Sequence, residues 1–180
     1  MADVLADASS IIVAARLNGI EMVSAVLGLI GLTETVWRES VEAGKALGYS
    51  DASAIEQGRR NGLIEVINLT AEERRRVDEI VANSSAYHRG ESETIICAET
   101  RRLPVLIEER RGRSLARSRG VIYTVLQAVP LQGYIERKLP RNEADQWLER
   151  IAVAMNTDLA VFQALRGAVQ ALDEERQIMN

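Results

Sequence analysis

The stretch Val4–Ile12, VLADASSII, sets the frame for the whole chain. Three apolar residues, Val4, Leu5 and Ala6, lead into Asp7, and Ala8-Ser9-Ser10 then opens the aliphatic run Ile11–Ala15. An acid or serine just ahead of such a run satisfies the free amides of a helix's first turn. The pattern predicts a short strand, a tight turn and a helix, with Asp7 or Ser9 near the cap. Outward from there, Leu29–Leu32 and the alternating Leu63–Leu69 read as strands. Between them Thr33 or Thr35 caps a helix carrying Val36, Trp37, Glu39 and Val41, ended by Gly44 and Gly48, and Ser50–Asn61 is helical up to Gly62. Thr70 with Glu73 forms a capping box for a helix over Thr70–Ser84. Glu91–Arg101 is helical after Gly90, Leu103–Ile107 is a compact strand with Glu108 at its exit, and Gly112–Ser118 is a short basic helix stopped by Gly120. After Pro140 two helical stripes follow, Ala144-Trp147-Leu148-Ile151-Met155 and Phe162-Leu165-Val169-Leu172. Strands alternating with helices predict an α/β fold, a central, mainly parallel sheet flanked by helices. Residues 1–140 are expected to form that domain, and residues 141–180 a helical C-terminal tail packed on it.

The bulk composition narrows the class. With 180 residues, 47% of them hydrophobic and only 4% aromatic, the chain suits one aliphatic core. A single cysteine, Cys97, leaves no internal disulfide and suits a reducing compartment. The N-terminus lacks a basic leader, and the apolar runs are too short or too interrupted to span a bilayer, so a cytoplasmic protein without a membrane partner is expected. A net charge of −4 argues against a dedicated basic nucleic-acid binder. Arg101, Arg102, Arg110, Arg111, Arg113, Arg117 and Arg119 nevertheless crowd one stretch.

Motifs for other chemistries are missing: there is no Walker loop, GxGxxG, HExxH or GxSxG elbow. The lone His88 and lone Cys97 argue against a zinc cluster or a Cys–His nucleophile. His88 reads as a loop residue ahead of Gly90 and Cys97 as helix packing. Carboxylates remain. In open α/β sheets, sites form beyond the carboxyl ends of the strands. Asp7 ends the first strand and Glu108 ends Leu103–Ile107. If those strands are neighbours, the two acids meet at one edge, repel each other, and suit Mg²⁺ or Mn²⁺. Each acid also has a plainer reading: Asp7 as a helix cap, Glu108 and Glu109 as solvated charges, Glu39 as an ordinary surface helix acid.

Four segments in order resemble the PIN-domain nucleases, and among them the subgroup marked by a GExE helix: VLADASSII, TETVWRESV, HRGESETIICAE and VLIEERRGRSLARSRG. The resemblance covers nearly the whole chain, including the C-terminal helices. It implies metal-dependent hydrolysis of RNA phosphodiester bonds, with the family's acids on Asp7, Glu39, Glu93 and Glu108. Asp7 and Glu108 would hold Mg²⁺ or Mn²⁺, with Ser9 supporting Asp7. Glu91 would support the site or cap its own helix. Arg110, Arg111 and Arg113 would hold flanking RNA phosphates. It further implies a homodimer and, for a toxin of a toxin–antitoxin pair, an antitoxin protein as partner. The family usually carries Asp where this chain has Glu108. The extra methylene implies a weaker metal shell, and so the alternative of a catalytically impaired module that binds RNA or a protein.

Overall fold

The computed structural model describes residues 1–83 and 87–178. Ser84, the expected end of one helix, lies outside the described residues. The chain forms two compact units, Met1–Val125 and Leu126–Asn180.

The first unit begins with β1 (Val4–Ala6), α1 (Ala8–Arg16), α2 (Ile20–Leu27) and β2 (Ile30–Thr33). A helical segment then runs through α3 (Glu34–Trp37), a widened π turn (Arg38–Glu42) and α4 (Ala43–Ala46). It continues with α5 (Ser50–Arg60), β3 (Ile64–Ile67), α6 (Ala71–Asn83), α7 (Arg89–Arg101), β4 (Val105–Leu106), α8 (Arg110–Ser118) and β5 (Tyr123–Thr124). The strands form one sheet in the order β3-β2-β1-β4-β5, and every pairing is parallel. The sheet is more uniform than "mainly parallel". Leu5, Ile30, Leu32, Val105 and Leu106 are completely buried, as strands covered on both faces require. Leu5, Ile95, Cys97, Ala98, Val105, Ile107 and Leu115 join α7 and α8 to the sheet in one apolar cluster. Burial pushes the Cys97 thiol up to about 12, which leaves it a packing residue and no nucleophile.

Local signals match the elements. Asp7 caps α1, accepting from the Ser10 amide at 2.8 Å. Thr33, rather than Thr35, caps α3. The capping box closes in both directions, Thr70 N donating to Glu73 at 2.7 Å and Glu73 N to the Thr70 hydroxyl at 3.2 Å. Two expectations shift. The strand expected over Leu103–Ile107 is reduced to Val105–Leu106 because Leu103 N still bonds Ala98 O, closing α7 behind a left-handed Arg102. Gly44 does not end its helix; it is buried within α4 against Ala52, and the stop is Gly48 at φ +76°.

In the second unit a 3-10 turn (Leu126–Ala128) leads into α9 (Val129–Ile135), α10 (Arg141–Ala154) and α11 (Leu159–Ile178). Ala144, Leu148, Ile151 and Val169 are buried in it, and Trp147 is half-buried beneath the Arg150 guanidinium, 4.0 Å from the ring centre. Asp173 accepts from the Tyr134 hydroxyl at 2.7 Å and pairs with Arg141, tying α11 to α9 and α10. No helix among the described residues is long and apolar enough to cross a membrane.

Candidate active site

The sheet order reverses at β1. The chain steps outward through β2 and β3 on one side and returns to β4 and β5 on the other. Such a switch point leaves a crevice at the carboxyl ends of the two strands that flank it. Here those strands are β1 and β4, in register through Leu5↔Val105 and Ala6↔Leu106. The residues following them, Asp7 and the pair Glu108-Glu109, are therefore brought to one edge by backbone pairing. Asp7 N bonds Leu106 O at 3.2 Å, and the Ser10 hydroxyl donates to the same carbonyl at 3.2 Å.

A cavity of about 580 Å³ opens at this edge. Asp7, Glu39, Glu91 and Glu109 line it as acids, with Ser9 and His88, and Arg110 and Arg111 at the start of α8 add cations. Asp7 is buried, and both its oxygens are held, Oδ2 by the Ser9 hydroxyl at 2.9 Å and Oδ1 by the Ser10 amide. Burial raises its pKa above the ordinary value, opposed by the serine bonds and reinforced by Glu109. Burial also raises Glu39, with further repulsion from Glu93 and Asp7. It raises Glu91 likewise, with Asp7 and Glu109 adding repulsion and a bond from the His88 backbone lowering it. In three of the four acids burial first, and neighbouring carboxylates second, therefore disfavour the charged form.

Two glycines make room for this arrangement. A Cβ on Gly90 would stand 2.8 Å from Glu39 Oε2, and one on Gly112 would overlap Glu91 Oε1 and Ile107 Cδ1. The G-E-x-E spacing therefore has a local meaning, since its glycine lets the Glu39 carboxylate lie against α7. Glu39 projects from the π turn, where the Ser40 hydroxyl bonds Val36 O at 2.7 Å; such widened turns frequently mark functional sites.

The other candidates lie as follows. Glu93 is buried, accepts from the Thr35 hydroxyl at 2.9 Å, and lines a different cavity. Glu108 is half-buried outside the acidic cavity's lining, and its carbonyl accepts from Arg113 Nη1. Arg113 is accordingly bonded to the strand exit, while Arg110 and Arg111 face the cavity. Three contributors were not legible from the sequence: Glu109, His88 and Gly112. The tandem acids at 108 and 109 were the available signal for the first, but spacing alone does not say which of two neighbours turns inward.

A family model described as a PIN domain matches residues 3–153, a span that includes all five strands. The chain belongs to the PIN-domain family. PIN domains are in general nucleases, and they typically use divalent metals. No curated protein matches the chain significantly. The cavity acids Asp7, Glu39 and Glu91 suit a hard divalent ion in kind, being carboxylates whose pKa values are raised by burial and by neighbouring acids. Among the described residues, no three His, Cys, Asp or Glu side chains are gathered tightly enough to grip one ion. Mg²⁺ keeps several waters and needs only one or two direct carboxylates, so the set fits a water-rich site.

Proposed function

We propose that this PIN domain is a metal-dependent endoribonuclease, the toxin of a toxin–antitoxin pair, acting in the cytoplasm as a homodimer with an antitoxin protein as its partner. The observation that supports the nuclease reading most directly is the meeting of Asp7, Glu39, Glu91 and Glu109 in one cavity at the β1–β4 switch point, with Arg110 and Arg111 beside them. Asp7, with Glu109 or Glu108 from the β4 exit, would hold Mg²⁺ or Mn²⁺. Glu39 and Glu91 would complete its shell through water, and Glu93 would act on it through the charge it imposes on Glu39. When bound, the ion would supply an activated water and offset charge on the scissile phosphodiester. Ser9 and Ser10 hold the Asp7 carboxylate in one orientation, so little reorganisation is needed when the site loads. Arg110 and Arg111 are placed to hold the phosphodiester backbone against an otherwise acidic wall.

The test is cleavage of single-stranded RNA by the full chain with Mn²⁺ or Mg²⁺. Cutting that EDTA stops and Asp7→Asn abolishes supports the assignment, and RNA left intact in every divalent ion rejects it. One observation favours a second reading, a catalytically impaired module that binds RNA: the carboxylates around the cavity are spread rather than gathered on one point. Metal-independent RNA binding without cutting would select it.

A further inference from the structure

Another cavity, of about 410 Å³, shares α7 and the helical segment after β2 with the acidic one, and adds Leu69 and Arg74. Glu34, Thr35, Arg38, Arg74, Arg89 and Glu93 carry its polar lining. On α7, Arg89 and Glu93 are one turn apart and share a face, while Glu91 lies between them in sequence and faces the acidic cavity. On the preceding segment, Arg38 faces the second cavity and its neighbour Glu39 the first.

The arginines are held in place. Arg38 Nη2 donates to the Thr35 hydroxyl at 3.1 Å, and that hydroxyl donates to Glu93 Oε1 at 2.9 Å. Arg89 Nη1 lies 3.7 Å from the same carboxylate oxygen, and Asp78 holds Arg89 from outside the cavity. Arg74 donates through Nε and Nη2 to Leu69 O at 3.1 and 2.8 Å. A guanidinium has five N–H groups, so these bonds orient each fork and leave donors over. Arg38, Arg74 and Arg89 share the lining with the carboxylates of Glu34 and Glu93, and Asp78 pairs with Arg89 at its edge. Oriented guanidinium forks with spare N–H donors suit the paired oxygens of a phosphodiester.

We propose that the Arg38–Arg74–Arg89 cavity is a second phosphate subsite for the RNA strand, taking a phosphodiester removed from the one held at the acidic cavity. The inference rests on the nuclease reading. Glu93 is then a positioning residue, orienting Arg89 directly and Arg38 through Thr35.

The experiment uses the full chain as Asp7→Asn, a fluorescent single-stranded RNA, and anisotropy across a salt series. Arg38→Gln and Arg74→Gln should each lower the salt slope by about 0.7, the share of one phosphate contact on a single strand. Arg38→Lys should keep the slope, which separates lost charge from lost fold. Arg75→Gln, on the same helix as Arg74 but paired to Glu72 and Glu79, should leave it unchanged. A scan that replaces one phosphate at a time by neutral methylphosphonate should reveal a position, away from the cut, where affinity falls about three- to tenfold. That loss should vanish in Arg74→Gln. Unaltered slopes and scan in a chain that does cut RNA would overturn the subsite alone. A chain that neither cuts nor binds RNA would overturn the nuclease reading itself. Inorganic phosphate at constant ionic strength should compete no better against the parent than against Arg74→Gln. Selective competition would assign the cavity to free phosphate and overturn the strand reading.

Discussion

The Ser9 hydroxyl donates to Oδ2 of Asp7 at 2.9 Å, so the residue that caps α1 also has its outer oxygen aimed by a neighbour two positions on. The cap uses Oδ1, so capping by Asp7 is compatible with the ligand role proposed for it.

Burial and Glu109 raise the Asp7 pKa despite that bond and the Ser10 amide. A folded-state pKa above the unfolded one means that the fold favours the protonated acid. The contribution to stability is fully present below the unfolded pKa and is lost as pH rises through the folded pKa. Asp7→Asn keeps a capping oxygen and carries no charge. It should therefore raise the thermal midpoint at neutral pH. The gain should fade toward about pH 4, while RNA cleavage disappears. Calorimetry across pH checks this, and a midpoint lowered at neutral pH would contradict it.

Glu109 lines the acidic cavity and Glu108 does not. Glu109→Gln should weaken Mn²⁺ binding at least about tenfold, with a smaller effect for Glu108→Gln. Titration calorimetry of both variants decides between them. The reverse order would return the ligand role to Glu108, and Glu108→Asp would then be expected to tighten the metal.

Gly112→Ala places a methyl group against Glu91 Oε1 and Ile107 Cδ1. Both atoms end flexible side chains, so the stability cost should stay near the low end of overpacking, about 1 kcal/mol. Displacement of Glu91 should cost proportionally more in cleavage than in stability. Gly90→Ala should act in the same way through Glu39. Denaturant midpoints and initial rates measured on the same preparations test this, and unaltered rates would show that neither glycine positions an acid.

Arg110 and Arg111 face the cavity, while Arg113 bonds the carbonyl of Glu108. Arg110→Ala and Arg111→Ala should each reduce the salt slope of RNA binding by about 0.7. Arg113→Ala should leave the slope unaltered and lower the unfolding midpoint, because it frees a carbonyl at the β4 exit. Equal slopes for all three would place the RNA elsewhere.

Val153, Leu159 and Val161 are 84%, 66% and 49% exposed at the junction of α10 and α11. If the homodimer uses this face, light scattering should give about twice the 19.9 kDa chain mass, and Val161→Glu should return it to one chain. A dimer that survives Val161→Glu and Leu159→Glu would have its interface elsewhere.

What the sequence determined by itself is short-range. The strand–acid–helix order of Val4–Ile12, the Thr70–Glu73 box, the stop at Gly62 and the helical stripes beyond Pro140 follow from periodicity and cap chemistry within a few residues. The parallel α/β class followed from their alternation, and the PIN resemblance followed from four motifs in order. The tertiary structure decided what depends on pairing across the chain. The register Leu5↔Val105 sets Asp7 beside the β4 exit, about a hundred residues away in sequence. Which of Glu108 and Glu109 faces the cavity turns on one residue of strand exit, because successive side chains leave an extended chain in opposite directions. The helical spacing of α7 separates Glu91 from Glu93, and only packing shows which cavity each one meets. The space that Gly90 and Gly112 leave for carboxylates from other elements has no local signature, because those atoms arrive from parts of the chain that the glycines' own neighbours do not specify.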